Sequence, residues 1–109
     1  MGMSANLSDL VDLLLRIRPY ASIAHHLPGR VRLKIGLGVL GALKGMPLDL
    51  RLADLRAFQG IGEVRVNMAA LSAVVSYDPS IVPNDFWRQC LTLADADLRE
   101  MVARVLRPL

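Results

Sequence analysis

The sequence predicts an α+β domain, and three observations carry that prediction. Arg30-Val31-Arg32-Leu33-Lys34-Ile35 alternates strictly between cationic and aliphatic side chains, the period-two pattern of a strand with one buried face. Gly62 to Asn67 and Leu71 to Tyr77 alternate again on either side of a short polar stretch, which is a hairpin signature. At both ends of the chain, apolar residues recur at the three- and four-residue spacing of amphipathic helices.

Taken in order, Leu7, Leu10, Val11, Leu14 and Ile17 share one helical face, with Asn6 placed to cap it, Asp9 in its first turn and Pro19 to stop it. Leu13 and Leu15 widen that stripe, so the helix is expected to pack on two sides or against a partner. Residues 1–20 thus form an N-terminal amphipathic helix ahead of a domain over 21–94, and 95–109 form a C-terminal helix packed on it. In the strand at Arg30, the residues Val31, Leu33 and Ile35 face a core, and Arg30, Arg32 and Lys34 face water or a partner. A helix from Leu48 to Phe58 follows, with Leu52, Leu55 and Phe58 inward and Gly60 as its stop. Val64 and Val66, then Leu71, Ala73, Val75 and Tyr77, mark the inner face of the hairpin. Pro83 opens another helix with Phe86, Cys90, Leu93 and Ala94 inward. Asp95-Ala96-Asp97 can cap a last one carrying Leu98, Met101, Val102, Val105 and Leu106, although one bent helix fits equally.

Composition narrows the function. At 109 residues the chain is one domain, and 53% hydrophobic residues with a mean hydropathy of +0.38 imply apolar surface that meets a partner. The longest apolar run, Ile35 to Leu43, is far short of the roughly 20 residues a membrane span needs. Asp9 and Asp12 interrupt the apolar N-terminal run and no basic segment precedes it, which argues against a secretory signal. Cys90 is the only cysteine, so there is no disulfide framework, and a cytoplasmic protein that can rest on the cytoplasmic face of a membrane is expected. The net charge of +3 is spread over scattered Lys and Arg without interleaved aromatic residues, which speaks against nucleic acid.

The element order is helix, β-α-β-β-α, helix. A β-α-β-β-α-β unit is the ferredoxin-like motif, and its fourth strand is not found after Leu93, where the spacing is helical throughout. That leaves the strand Arg30–Ile35 with an open edge, through which a homodimer is expected to form.

His25-x-x-Pro28-Gly29-Arg30-Val31-Arg32-Leu33, then Gly62-x-Val64-Arg65-Val66-Asn67 and Val75-x-Tyr77-Asp78-Pro79, resembles the heavy-metal-associated domain superfamily. The likeness covers roughly Ile23 to Leu93 and is nearest the variant at the N-termini of some bacterial heavy-metal P-type ATPases. It implies a ferredoxin-like fold and an accessory role in transition-metal, iron or haem handling. The partner would be a metal-transporting membrane protein or a metal storage compartment. The family's Cys-x-x-Cys pair is missing: the loop Gly36 to Met46 holds no Cys, His, Asp or Glu.

Without those thiolates the metal-ligand candidates are His25 and His26, with a transition metal ion or haem iron as the expected cofactor. His25 is in register with the family pattern. Adjacent residues of an extended segment point to opposite sides, so one ion would draw one ligand from each chain of a dimer. The competing reading gives His25 the job of shaping the Pro28-Gly29 turn. Gly36-x-Gly38-x-x-Gly41 matches a dinucleotide fingerprint formally, but Gly45 and Pro47 cut short the helix it requires. No nucleophile, base and orienting acid occur at recognisable spacing, so a non-enzymatic role is expected. The alternative to metal handling is a docking module for a protein or membrane surface. It would use Arg30, Arg32, Lys34 and Arg65 on the sheet face, with Leu37, Val39 and Leu40 of the Gly-rich loop.

Overall fold

The computed structural model describes residues 7–43, 45 and 52–109. It is an α+β structure built on one four-stranded antiparallel sheet. Helix α1 (Leu7–Ile17) leads through a 3₁₀ turn (Arg18–Tyr20) into β1 (Ala21–Leu27) and β2 (Arg30–Ile35). The one-turn helix α2 (Val39–Ala42) and a second 3₁₀ turn (Asp54–Ala57) precede β3 (Ile61–Asn67) and β4 (Ser72–Tyr77). Helices α3 (Phe86–Thr92) and α4 (Asp95–Val105) close the chain. No helix among the described residues is long and apolar enough to cross a membrane.

The strand order is β1-β2-β4-β3, and every neighbouring pair is antiparallel. This corrects the expectation of an open edge at Arg30–Ile35. β2 is paired on both sides, with β1 along one edge and β4 along the other. The strand that covers it comes from upstream in the chain, where the sequence reading saw only a turn. β1 and β2 join through Pro28-Gly29, with Gly29 at φ +84°, a region open to glycine. A Cβ there would also sit 3.2 Å from the Tyr77 carbonyl oxygen.

The burial pattern of β2 follows its sequence: Val31 and Ile35 are buried, Leu33 is half-buried, and Arg30, Arg32 and Lys34 are exposed. Their inner face meets the helices. Val31, Val75 and Tyr77 pack with Leu10 and Val11 of α1, Phe86, Trp87 and Cys90 of α3, and Leu98, Met101 and Val102 of α4. A second cluster joins Leu13 and Ile17 of α1 to Ile35, Val39, Leu43, Leu52 and Ala73. The broad apolar stripe of α1 is thereby explained within the chain, since it serves two clusters at once.

The predicted helix over Leu48 to Phe58 begins outside the described residues, as do Asn6 and its cap. Its described part is helical at Leu52 and Ala53 and then tightens to the 3₁₀ turn. The C-terminal region is two helices separated at Leu93-Ala94, and Ala94 is exposed. Arg18 holds that junction: its guanidinium donates to the Leu93 carbonyl at 2.6 Å and to Asp95 Oδ1 at 2.7 Å. The tail after α4 pairs with residues 57–59, through Gln59 N–H to the Arg107 carbonyl and Leu109 N–H to the Ala57 carbonyl.

Candidate functional site: the open face of the sheet

With the helices on one side, no described element covers the other side of the sheet, and the register fixes what it displays. His25 lies opposite Arg32, Arg32 opposite Val74, and Val74 opposite Arg65. On one side of that row Leu27 opposes Arg30 and Arg30 opposes Ser76; on the other, Ser22, Lys34, Ser72 and Asn67 follow one another. Three cations therefore stand on alternate positions of one central strand, with small or neutral side chains around them. Arg65 is neutralised by Glu63, whose Oε2 accepts from its Nε at 2.8 Å. Arg30, Arg32 and Lys34 have no such partner among the described residues. Like charges held about 7 Å apart on a strand favour any arrangement that brings an anion between them.

His25, Leu27, Arg30, Arg32 and Val74 together line a surface hollow of about 270 Å³. Its polar side chains, His25, Arg30 and Arg32, can each donate hydrogen bonds, and Leu27 and Val74 supply apolar side chains. Leu27 is 52% exposed, unusually open for a strand leucine.

A β-bulge decides which histidine reaches this face. The register of β1 against β2 slips between Ile23 and His25, so that Ala24 is extra. Ile23 and His26 then point inward and His25 points outward, whereas unbroken alternation from Ile23 would have sent His25 to the helices. His26 is pinned on the inner side, its Nε2 2.6 Å from the Tyr77 hydroxyl. Tyr77 gives its only proton to Asn84 Oδ1 at 2.7 Å, so its oxygen accepts from His26 Nε2–H. That nitrogen therefore has no lone pair to offer a metal.

The two histidines lie on opposite faces of β1, as the sequence reading expected of adjacent residues. Among the described residues, no group of three or more His, Cys, Asp or Glu side chains comes together to hold a metal ion. His25 instead shares its hollow with two guanidinium groups. Cys90 is buried under the sheet, and that burial pushes its thiol up to about 12 against an ordinary 9.0, with Arg18 pulling weakly the other way. The cavity beside it, between α1, β2 and α3, holds about 40 Å³ and exposes only apolar surface.

The Gly-rich loop divides. Leu37 and Leu40 are 72% and 47% exposed, as a docking surface requires. Val39, placed on the same patch by the sequence reading, is fully buried against Leu13, Ile17 and Leu43. The single turn of α2 rotates it inward while Leu37 and Leu40 stay outside. The exposed member that sequence reasoning missed is Tyr20, whose ring lies so close over Gly38 that a Cβ there would fall 2.6 Å from it. Tyr77 was placed on the inner face, but its bonds to His26 and Asn84 were not foreseen, and no local pattern announces a bond between residues 51 positions apart.

No protein-family model, curated protein or solved structure matches the chain.

Proposed function

We propose that this chain is a non-catalytic docking module that binds an acidic segment of a partner protein on the open face of its sheet. The observation that carries this reading is the row Arg30, Arg32 and Lys34 on β2, exposed and without a counter-charge among the described residues. Such a face speeds and orients encounter with an acidic partner. Leu27 beside Arg30 adds apolar contact. Metal handling is the weaker reading, because a cation at His25 would meet Arg30 and Arg32 across the same hollow. In this proposal the architecture is ferredoxin-like: β2, the crossover, β3, β4 and α3 supply β-α-β-β-α. β1, reached from the N-terminal side, stands where the last strand of that motif would pair beside the first.

A short fluorescein-labelled oligoglutamate, titrated with the full chain at low salt, tests it. The expected result is saturable binding that weakens with salt and falls by at least about tenfold in Arg30→Ser/Arg32→Ser, with the melting temperature unchanged. Equal binding by that variant overturns the assignment. Binding to vesicles containing phosphatidylserine without binding to oligoglutamate also overturns it, in favour of a lipid surface.

A further inference from the structure

Resting on the docking reading, we propose that the hollow formed by His25, Arg30 and Arg32 is a phosphate-monoester site, so that the docked segment carries a phosphorylated serine or threonine. Three features of the hollow point beyond a general preference for acidic residues.

The first is the number and type of donors. Two guanidinium forks and an imidazole line one space of about 270 Å³. A carboxylate has two oxygens in one plane and is satisfied by one fork. A phosphate monoester offers three terminal oxygens in a pyramid and close to two negative charges, which suits three donors set around it. Arg is the side chain that matches this geometry through paired N–H groups.

The second is how the donors are placed. Arg30 and Arg32 lie two positions apart on β2, hence on one side of it. His25 faces Arg32 across the β1–β2 pairing. It is there because Ala24 is bulged and because the bond from His26 to Tyr77 fixes the phase of β1 from below. A bulge that re-aims one side chain into a cluster of donors is a recurrent device beside binding sites.

The third is what is kept out. Among the described residues, no carboxylate lines the hollow. The Glu63 carboxylate, which would compete with an anion, is engaged by Arg65 on the far edge of the sheet. Leu27 and Val74, flanking the donors, suit the carbon atoms of a phosphoserine or phosphothreonine side chain and exclude water from one side of the charge.

The test uses the full chain and two labelled oligoglutamate peptides, one with a central serine and one with a central phosphoserine. The phosphorylated peptide is expected to bind at least about tenfold more tightly. That preference should vanish in His25→Ala and in Arg32→Gln, while Lys34→Gln weakens both peptides alike and keeps it. Free O-phosphoserine, added to the wild-type chain, should shift the NMR signals of the His25 ring and the Arg32 side chain ahead of those of Lys34, with glutamate far weaker. Equal affinity for the two peptides overturns the phosphate site and leaves the docking reading standing. Failure of both peptides overturns both. Binding of vesicles bearing a phosphoinositide, lost in His25→Ala, without a preference between the peptides, overturns the phosphopeptide assignment in favour of a lipid headgroup.

Discussion

Tyr77→Phe removes a single oxygen, and the structure sets the size of the loss. The ring stays, with its centroid 5.2 Å from that of Trp87, so no cavity opens. Two hydrogen bonds go, the 2.6 Å contact with His26 and the 2.7 Å bond to Asn84. A neutral bond nets about 1 kcal/mol, and a buried group left unpaired costs more. Asn84 is exposed and water takes over its oxygen, whereas His26 is half-buried and recovers only part. The sum is about 2 kcal/mol, which for a domain of this size lowers the melting temperature by about 10 °C. Urea unfolding of wild type, Tyr77→Phe, His26→Ala and the double variant measures it. The cycle should show a coupling of about 1 kcal/mol between the two side chains. Hydrogen exchange should speed up in β1 before α4, because the lost bond ties β1 to β4. A Tyr77→Phe protein within about 0.5 kcal/mol of wild type would refute the pin.

Arg18→Met keeps the aliphatic stem and deletes a charge-assisted bond to the Leu93 carbonyl, at a cost of about 2 kcal/mol in urea unfolding. Asp95→Asn, at a carboxylate 74% exposed, should cost under about 1 kcal/mol. Equal losses would reduce Arg18 to a surface ion pair. Cys90 binds its proton more tightly when folded, so its contribution to stability is complete below pH 9.0 and is lost as pH rises toward about 12. Relative to Cys90→Ala, the wild-type chain should lose about 2 kcal/mol by the middle of that window. The native thiol should also resist iodoacetamide at mildly alkaline pH and react on unfolding. A pH-independent difference between the two proteins, or rapid alkylation of the native chain, would show that the thiol is not shielded.

The cationic and aliphatic halves of β2, the β3–β4 hairpin and the exposure of Leu37 and Leu40 were legible because each is written at short range in a fixed period. β1 was not. Ala21-Ser22-Ile23-Ala24-His25-His26-Leu27 carries an extra residue at Ala24, so its alternation slips halfway and neither period fits the whole segment. Missing β1 also produced the expectation of an open edge on β2. Val39 misled for a related reason. A run of glycines and aliphatics reads as a surface loop, and one helical turn is too short to betray that it rotates a single valine into the core. His25 was singled out from the sequence. Its grouping with Arg30 and Arg32, in place of a second metal ligand, follows from pairing and could not be read from spacing.

The strand order carries a kinetic consequence. β1 and β2 close over two residues and β3 and β4 over a short turn, so both hairpins can form early and locally. Joining them requires β2 to find β4 across the long connection between, which is the costlier loop to close. His25, Arg30, Arg32 and Lys34 belong to one hairpin and Val74 to the other, so the row of charges precedes the meeting of the halves and the lining of the hollow is completed by it. A nascent or partly unfolded chain would offer the donors of the hollow without Val74 beside them, and full-strength binding would then report completion of the sheet.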